Sequence, residues 1–357
     1  MTRRAVFLGA AVAGTTAIGW KIKKSQRLRC FLWPAAHPSG GELLGVIGRE
    51  KIFADAPFAE CHASTLAVAG STLVCAWFGG SREGDPDVAI WSSTRDRDGW
   101  STPKLLARGT SETGASLACW NPVLWQNPEG ALYLFYKVGK TPRSWWGMVM
   151  QSEDGGRSWG APIRLPEGIF GPIKNKPIML ADGRLLCPSS TEHDGWRVHF
   201  EWTSDQGRTW HRTESIGDGK DLEIIQPTLL VHADQRLQAL CRSRQGRIAE
   251  LWSKDGGRTW SAPRLTDLPN PNSGIDGLTL ADGRHILVHN PVSRCRSPLV
   301  VSISEAGEAW QEIATLESGR GEFSYPAIIQ QGNGLVRISY TNRRNTIAHV
   351  TIDPREI

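Results

Sequence analysis

The apolar positions of the chain fall into short runs that come in pairs, and the paired arrangement occurs six times. In each copy a short apolar strand is followed by a polar turn and a second apolar strand. The copies read HASTLAVAGSTLVCA, NPVLWQNPEGALYLF, KPIMLADGRLLCPS, QPTLLVHADQRLQAL, DGLTLADGRHILVH and YPAIIQQGNGLVRIS. They begin about 50 to 60 residues apart, a spacing typical of propeller blades. The pattern predicts an all-β fold, a six-bladed β-propeller with four antiparallel strands in each blade.

A second repeat interleaves with the first and has the form Ser/Thr-x-Asp-x-Gly-x-x-Trp. Full copies start at Ser152, Thr203 and Ser253, and weaker copies contain Trp310 and Trp100. In such a segment Asp bonds to nearby backbone N–H groups, Gly supplies positive φ, and Trp packs over the turn. We expect each copy to form a hairpin turn. The repeat also explains many of the 16 tryptophans.

Each of the six paired runs begins with a different polar residue. These residues are His62, Asn121, Lys176, Gln226, Asp276 and Tyr325. Because the first strand of a propeller blade lies nearest the axis, we expect the six side chains to form a ring at one mouth of the channel. Six different polar types at equivalent positions favour a ligand site, although six separately solvated strand ends would give the same pattern.

Composition and charge narrow the classes of function. The 357 residues are 40% hydrophobic and 22% charged, with a formal net charge of +5. That charge suits an acidic ligand, but no dense Lys/Arg stripe argues for nucleic acid. The seven cysteines include no C-x-x-C pair and are interpreted as buried free thiols rather than as a disulfide framework or zinc site. We predict neither a metal nor another cofactor.

The first 30 residues are set apart from the fold. Two arginines precede an uncharged run over residues 5–20, and the sequence KIKK follows. The segment resembles a twin-arginine export signal or an uncleaved membrane anchor, with a buried helix as the alternative. We expect an exported protein, periplasmic or extracellular, that contacts a membrane only through this segment. Residues 31–50 are interpreted as a linker and residues 51–357 as the propeller.

Four stretches of the chain resemble the sialidase-like BNR-repeat proteins, whose Asp boxes match the second repeat. They read CHASTL, WFGGSREGDPDVAIW, GPIKNKPIMLADGRLLCPSS and GEFSYPAIIQ. The resemblance runs from about Phe53 to the end of the chain. It implies a β-propeller and a glycosidase that acts on an acidic sugar without a metal.

The resemblance implies that Tyr325 is the nucleophile. Sialic acid bears its carboxylate on the anomeric carbon, so a neutral phenol avoids the repulsion that a charged nucleophile would meet. An acid/base is implied in the loop GGSREGDPDVAIW, where we favour Asp87, then Glu83, then Asp85. Burial with the substrate would have to raise its pKa. The alternative is a solvated acidic loop with Arg82 as its ion partner.

The resemblance also implies arginines that bind the substrate carboxylate. Arg242 and Arg296 fall at second strands before Asp boxes, and Arg343 and Arg344 are further candidates. Guanidinium groups bind carboxylates in bidentate fashion, which is why arginine is expected rather than lysine. Any of these arginines could instead form a surface ion pair.

Two positions depart from the sialidase pattern. Sialidases carry Arg-Ile-Pro in the first blade, where this chain has Cys61 or His62. They also carry Glu-Pro in the fourth blade, where this chain has Gln226, which cannot accept a proton as a carboxylate does. Glu223 or Asp276 could replace that glutamate as the group that activates the tyrosine.

Three functions fit these observations. The first is an exo-acting glycoside hydrolase that removes a terminal acidic sugar, either sialic acid, a related keto-sugar acid or a uronic acid. The second is a lyase on a uronate polysaccharide, with His62 and Tyr325 as base and acid and Lys176 or an arginine neutralising the carboxylate. The third is a non-catalytic propeller that binds a glycan or a protein at the cell envelope.

Overall fold

The computed structural model describes residues 44–357, which form six four-stranded antiparallel sheets and one two-stranded ribbon. The predicted all-β, six-bladed propeller is therefore confirmed. The predicted signal or anchor at residues 1–30 lies outside the described residues. In the described part, no helix has the length and apolarity needed to cross a bilayer.

The strands are numbered in chain order, beginning with β1 (Val46–Lys51). Blade 1 contains β2 (Glu60–Ala69), β3 (Thr72–Gly80), β4 (Ala89–Arg95) and β5 (Lys104–Ala107), and the ribbon β6 (Gly109–Thr110) and β7 (Ser116–Leu117) follows it. Blade 2 contains β8 (Cys119–Gln126), β9 (Leu132–Val138), β10 (Trp146–Ser152) and β11 (Ile163–Arg164). Blade 3 contains β12 (Ile178–Met179), β13 (Leu185–Thr191), β14 (Arg197–Thr203) and β15 (His211–Arg212).

Blade 4 contains β16 (Ile224–Val231), β17 (Leu237–Ser243), β18 (Arg247–Ser253) and β19 (Arg264–Pro269). Blade 5 contains β20 (Asp276–Thr279), β21 (His285–His289), β22 (Leu299–Ser304) and β23 (Gln311–Glu317). Blade 6 contains β24 (Phe323–Gln330), β25 (Val336–Asn342) and β26 (Thr346–Ile352), and a short 3-10 helix (Pro354–Glu356) ends the chain. The first strands of neighbouring blades contact one another, among them β2 with β8 and β24, and β20 with β16 and β24.

The propeller closes because β1 supplies the outer strand of blade 6. It pairs antiparallel with β26, so the last blade contains strands from both ends of the described chain. Without β1 the outer edge of β26 would expose a row of unpaired N–H and C=O groups. The boundary expected at residue 51 is therefore wrong, since the end of the supposed linker 31–50 already belongs to the propeller.

The core lies between the blades, because each sheet packs both faces against its neighbours. All seven residues of β9 are buried, although alternate side chains point to opposite faces of the strand. One core cluster joins blades 1 and 2 and reaches Tyr325, and another joins blades 5 and 6. The paired apolar runs of the sequence are these doubly covered strands.

The Asp-box repeats form the predicted turns between the third and fourth strands of a blade. In the copy at Ser253, the Asp255 carboxylate accepts hydrogen bonds from the backbone N–H of Thr259, at 2.9 Å, and from the Ser253 hydroxyl, at 2.8 Å. The Trp260 indole donates to the Gly257 carbonyl at 3.1 Å. The same indole-to-glycine bond occurs at Trp159, Trp210 and Trp310.

The cysteines follow the sequence expectation only in part. Free buried thiols occur at Cys61, Cys75, Cys119, Cys187 and Cys241. Burial raises the pKa of the Cys119 thiol to about 12, which keeps it protonated and unreactive at neutral pH. Cys295 is disulfide-bonded, so the interpretation of every cysteine as a free thiol is wrong at this residue.

The Asp-box turn predicts an acid-sensitive contribution to stability. Slight burial would raise the pKa of Asp255, but hydrogen bonds from Thr259 and Ser253 outweigh it and hold that pKa at about 2. Because the folded pKa lies below the ordinary value of about 4, this contribution is present above pH ~4 and lost as the pH falls towards ~2. We expect Asp255→Asn to flatten the fall in unfolding free energy over this range, measured by urea denaturation at several pH values.

Asp267→Asn is the matched control for this measurement, because the Asp267 side chain is fully exposed and faces only Arg247 at 3.3 Å. We expect the control to follow the wild-type curve. An acid limb of equal slope in Asp255→Asn and wild type would show that the turn carboxylate contributes nothing to acid stability.

Candidate active site

Four inner strands carry the same β-bulge close to their first residue. In β2, β8, β16 and β24 two successive residues lie opposite a single residue of the next strand. The first bulge residue has a positive φ in every case: 55° for Ala63, 37° for Asn121, 58° for Gln226 and 53° for Tyr325. A non-glycine residue in this conformation costs about 1 kcal/mol, and such residues concentrate at functional sites. The bulges therefore mark this end of the channel as a candidate site.

The expected ring of six residues was obtained by aligning the six apolar runs of the sequence. The bulge positions show that this alignment is wrong by one residue in blade 1. His62 still pairs regularly with Phe78, and the bulge begins at the next residue. The structural equivalent of Tyr325 in blade 1 is therefore Ala63, and His62 lies one position earlier. A shift of one residue matters because it reverses the side of the strand from which a side chain projects.

Lys176 and Asp276, two members of the expected ring, form an ion pair with each other and no hydrogen bond to Tyr325. Lys176 donates to the Asp276 carboxylate at 3.0 Å, and the Asp276 side chain is almost completely buried. Asp276 also accepts hydrogen bonds from the Thr228 hydroxyl at 2.8 Å and from the backbone N–H of Ile328 at 3.0 Å. These bonds link blades 3, 4, 5 and 6. Asp276 is therefore saturated by structural contacts and does not replace the missing activating acid.

Tyr325 is buried at the centre of the candidate site. Its hydroxyl accepts a hydrogen bond from Nη1 of Arg242 at 2.6 Å and a longer one from Nε2 of Gln226 at 3.4 Å. Its ring stacks obliquely on His62, with 4.1 Å between the ring centroids. Among residues 44–357 no carboxylate hydrogen-bonds to the hydroxyl. The phenol oxygen therefore faces a cation and an amide where the resemblance implied an acid.

Arg242 is a buried cation without a carboxylate partner in the described part of the chain. Its exposure is only 7%. Nε donates to Oδ1 of Asn272 at 2.6 Å, and Nη1 donates to Oε1 of Gln226 at 3.3 Å as well as to Tyr325. The guanidinium lies over the Trp196 ring, 5.0 Å from its centroid. Nη2 has no hydrogen-bond partner among residues 44–357, so Arg242 retains the capacity to bind an anion.

Two further arginines are held beside Tyr325 by one carboxylate. Glu322 accepts from Nη1 of Arg296 at 2.7 Å and from Nε of Arg344 at 3.1 Å. The Arg296 guanidinium lies 5.4 Å from the centroid of the Tyr325 ring. Arg344 also pairs with Glu83 at 2.6 Å. We call Arg242, Arg296 and Arg344 the arginine cluster; among the described residues its hydrogen-bonded ion pairs involve two carboxylates, Glu322 and Glu83, and the Glu192 carboxylate acts on Arg242 only through its charge.

The two carboxylates of the cluster are ionised at neutral pH. Burial alone would raise the pKa of Glu322, but Arg344 and Arg296 hold it well below its ordinary value. For Glu83 too, the raising effect of burial is outweighed by Arg344, so its pKa is lowered. Glu83 is therefore ionised without a ligand, and the raised pKa expected for the first-blade acid still depends on burial with the substrate.

Asp87, the favoured acid, lies elsewhere in the loop between β3 and β4. It is exposed and accepts hydrogen bonds from the Ser81 hydroxyl at 2.6 Å and from the Ser81 backbone N–H at 2.8 Å. These bonds lower the pKa of Asp87. Its side chain lines a cleft of about 300 Å³ with Arg108. Asp85 pairs with Arg82 at 3.0 Å, as the alternative of a solvated loop expected.

Three other candidates occupy different places. Glu223 pairs with Arg244 at 2.9 Å and forms no bond to Tyr325. Arg343 is exposed, with its guanidinium 5.6 Å from the Phe323 ring centroid, so its neighbour Arg344 takes the place in the cluster. Neither side chain forms a hydrogen bond or ion pair with Tyr325 or with the arginine cluster among residues 44–357, so their roles at the site stay predictions.

Asn121 and His62 complete the surroundings of the bulges. The Asn121 side chain is buried but makes no hydrogen bond within residues 44–357. His62 Nδ1 lies 2.9 Å from the Thr341 hydroxyl, and Nε2 lies 3.5 Å from Nη2 of Arg344. Burial, with a contribution from Arg344, holds the pKa of His62 well below its ordinary value. The imidazole is therefore neutral at physiological pH.

Sequence reasoning assigned no role to Glu322, Trp196 or Asn272. A signal for Glu322 does exist, because it stands three residues before Tyr325 just as Glu223 stands three residues before Gln226. Both glutamates thus precede a bulge by the same interval. No comparable repeat marks Trp196 or Asn272, which lie in irregular loops. Nor do His, Cys, Asp and Glu side chains gather in threes to offer a metal site anywhere in residues 44–357.

Comparison with known proteins places the chain among sialidase-like propellers. Residues 71–338 match the model of the BNR repeat-like domain. A protein of unknown function from Dyadobacter fermentans has a TM-score of 0.71 and 17% identity, covering 86% of this chain and 98% of that chain. The NanB sialidase from Streptococcus pneumoniae has a TM-score of 0.69 and 12% identity, covering 91% and 72%.

A third similar structure is the intramolecular trans-sialidase from Ruminococcus gnavus. Its TM-score is 0.69 at 14% identity, and the match covers 87% of this chain and 98% of that chain. Likeness at such low identity shows a shared fold. The chemistry of this chain has to be argued from its own residues.

The site predicts that two equivalent glutamates differ in their contribution to stability. Glu322→Gln leaves Arg296 and the buried Arg344 without their shared carboxylate, so we expect the unfolding free energy to fall by about 3 kcal/mol. Glu223→Gln removes only a pair with the exposed Arg244 and should cost less than about 1 kcal/mol. Chemical denaturation of both variants measures the difference. Equal losses would contradict the structural role assigned to Glu322.

Proposed function

The chain belongs to the BNR repeat-like family, and we propose that it is a glycosidase of the sialidase type that removes a terminal acidic sugar from a glycan. The sugar is sialic acid or a related keto-sugar acid, whose carboxylate lies on the anomeric carbon. The proposal depends chiefly on one observation: Arg242, a buried arginine without a carboxylate partner among the described residues, donates to the Tyr325 hydroxyl at 2.6 Å. A carboxylate bound by Arg242 would hold its anomeric carbon next to that hydroxyl.

Charge supports an anionic ligand. The arginine cluster has one more positive charge than Glu83 and Glu322 neutralise, and His62 is neutral. A carboxylate that enters the mouth can take the free Nη2 of Arg242 and compete with Glu322 and Glu83 for the other guanidinium groups. Charge-assisted, bidentate bonds of this kind are about twice as strong as neutral hydrogen bonds.

Tyr325 takes the role of the nucleophile in this proposal. Its oxygen forms a bond to the anomeric carbon while the bond from that carbon to the leaving oxygen breaks. Arg242 stabilises negative charge that develops on the phenol oxygen. The phenol's proton passes to water at the mouth, because Gln226 is an amide and cannot accept it and both ring nitrogens of His62 are engaged by Thr341 and Arg344. Water then displaces the tyrosine and completes hydrolysis.

Glu83 is the proposed acid that protonates the leaving oxygen, although its pKa is low in the free protein. Its low pKa comes from Arg344, which opposes the raising effect of burial. If Arg344 turns to the substrate carboxylate, that opposing charge is shared and burial under the sugar remains. Glu83 would then take up a proton as the substrate binds. Asp87, exposed and held by Ser81, lacks this coupling to the arginine cluster.

A second candidate function is binding of an acidic glycan without catalysis. It is favoured by the amide at Gln226 and by the absence, among residues 44–357, of a carboxylate at the Tyr325 hydroxyl. In such a protein the arginine cluster would bind the acidic group of the glycan equally well. The two functions differ in the role of Tyr325: a glycosidase needs its hydroxyl for turnover, whereas a binding protein needs it only to contact the ligand.

The test is turnover of aryl glycosides of sialic acid, Kdo and glucuronic acid. We expect the wild-type protein to release the aryl group from a keto-sugar acid glycoside, and Tyr325→Phe to lower kcat by at least about a hundredfold. Arg242→Met should raise KM roughly tenfold to a hundredfold through the lost charged hydrogen bonds. Arg343→Met is the matched control, because Arg343 is exposed outside the cluster.

Other outcomes separate the alternatives. Binding of the free sugar acids with no release on any glycoside, and with Tyr325→Phe equal to wild type, would establish the binding protein. An unsaturated product that absorbs in the ultraviolet, formed from a uronate polysaccharide, would establish the lyase. Loss of activity in Arg343→Met equal to that in Arg242→Met would overturn the role of the arginine cluster.

A further inference from the structure

Two adjacent residues at the start of blade 3 reach the bulge of the neighbouring blade 4 and the bulge of blade 6, which lies across the axis. Lys174 and Asn175 are almost completely buried, with exposures of 4% and 1%. Nζ of Lys174 donates to the carbonyl of Pro326, the second bulge residue of β24. Nδ2 of Asn175 donates to both bulge carbonyls of β16, those of Gln226 and Pro227, at 3.0 Å each.

These carbonyls need partners that a regular strand would supply. A bulge takes its extra residue out of the ladder, and an unpaired buried carbonyl is unfavourable. The following proline has no N–H, so it cannot donate to the ladder either. The side chains of Lys174 and Asn175 supply the missing donors. Each serves one of the two bulges whose leading residues meet at the mouth, where Gln226 donates to the Tyr325 hydroxyl at 3.4 Å.

We propose that Lys174 and Asn175 are positioning residues, which hold the bulges of β24 and β16 so that Tyr325 and Gln226 remain together on Arg242. This role rests on the proposed function only as far as catalysis is concerned. The positioning itself is a property of the folded chain. Neither residue touches the Tyr325 hydroxyl, so each acts through the backbone of the bulges.

The packing around Tyr325 supports the role. Lys174 Nζ also donates to Oδ1 of Asn175 at 2.8 Å and to the Ile275 carbonyl at 2.9 Å, which joins the two residues into one unit and ties it to blade 5. Gly274 leaves room for this arrangement, since a Cβ there would lie 3.3 Å from both Cε of Lys174 and the Tyr325 ring. The lysine side chain and the tyrosine ring thus pack over the same glycine.

The hydrogen bonds of Lys174 require its charged form. An ammonium has three N–H donors, and the three acceptors named above use all of them; the neutral amine has only two. Burial, opposed by Asp276, lowers the pKa of Lys174 to about 7. The other charged groups facing it are Lys176 and Arg242, which also lower it. Below pH ~7 all three bonds form, and above it one acceptor loses its donor, so the position of Tyr325 should vary with pH.

The experiment follows Tyr325 directly by ¹⁹F NMR of the full chain labelled with 3-fluorotyrosine. The chain has four tyrosines, so Tyr325→Phe identifies the resonance. We expect Lys174→Met and Asn175→Leu to shift this resonance and leave the other three in place. In the wild type it should move with a midpoint near pH 7, and Lys174→Met should abolish that movement.

Gln238→Leu is the matched control, because Gln238 is a fully buried amide that donates to the Gly307 carbonyl in blade 5 and makes no contact with the bulges. We expect it to lower Tm as Asn175→Leu does but to leave the Tyr325 resonance unchanged. In turnover assays the two positioning variants should lose roughly tenfold to a hundredfold in kcat/KM, and the control should lose none.

The outcomes separate this inference from the proposed function. If the wild type turns over no substrate, the proposed function fails while the resonance still tests the positioning. A Tyr325 resonance that stays in place in both Lys174→Met and Asn175→Leu overturns the positioning role, whatever the activity. A shift of equal size in Gln238→Leu would show a general loss of packing and overturn it as well.

Discussion

Buried backbone carbonyls freed by the β-bulges are the constraint on which the mouth of this propeller depends. A bulge places one residue at positive φ and leaves carbonyl groups without ladder donors. In β16 and β24 those carbonyls are bound by the side chains of Asn175 and Lys174, which come from a third blade. The bulge residues Gln226 and Tyr325 are thereby fixed relative to each other, although they lie 99 positions apart in sequence. The strained backbone persists because its neighbours overdetermine it.

Electrostatics determines what this rigid mouth can accept. Glu322 joins Arg296 to Arg344, and Glu83 takes a second position on Arg344, so two of the three guanidinium groups are anchored. Arg242 is anchored by neutral acceptors instead and keeps its full charge in a desolvated place. A ligand anion can add to the unpaired Nη2 of Arg242 with little reorganisation, because that guanidinium is already oriented by Asn272, Gln226 and Tyr325. The unpaired guanidinium of Arg242 is local to the mouth and cannot be read from the formal net charge of the whole chain.

The sequence predicted the repeating parts of this structure better than the site. Paired apolar runs and Asp boxes are local signals, and both formed the expected strands and turns. β1 was missed because an outer strand with mostly exposed residues shows no apolar pattern. Which of Arg343 and Arg344 joins the arginine cluster depends on the neighbour that each side chain contacts. The sequence gives no information about that contact. The pairing of Lys176 with Asp276 joins residues 100 positions apart and leaves no local signal.

Gln226 shows how one departure from the sialidase pattern can change two properties together. Its Oε1 lies 3.3 Å from Nη1 of Arg242, the nitrogen that also donates to Tyr325. A glutamate at this position would form an ion pair with Arg242 and neutralise it before a ligand arrived. The amide removes a base from the tyrosine, but it also leaves the arginine fully charged towards an incoming carboxylate and the phenol oxygen. In the proposed mechanism, the amide would therefore shift the activation of Tyr325 from proton removal by a carboxylate to stabilisation of its developing charge by Arg242.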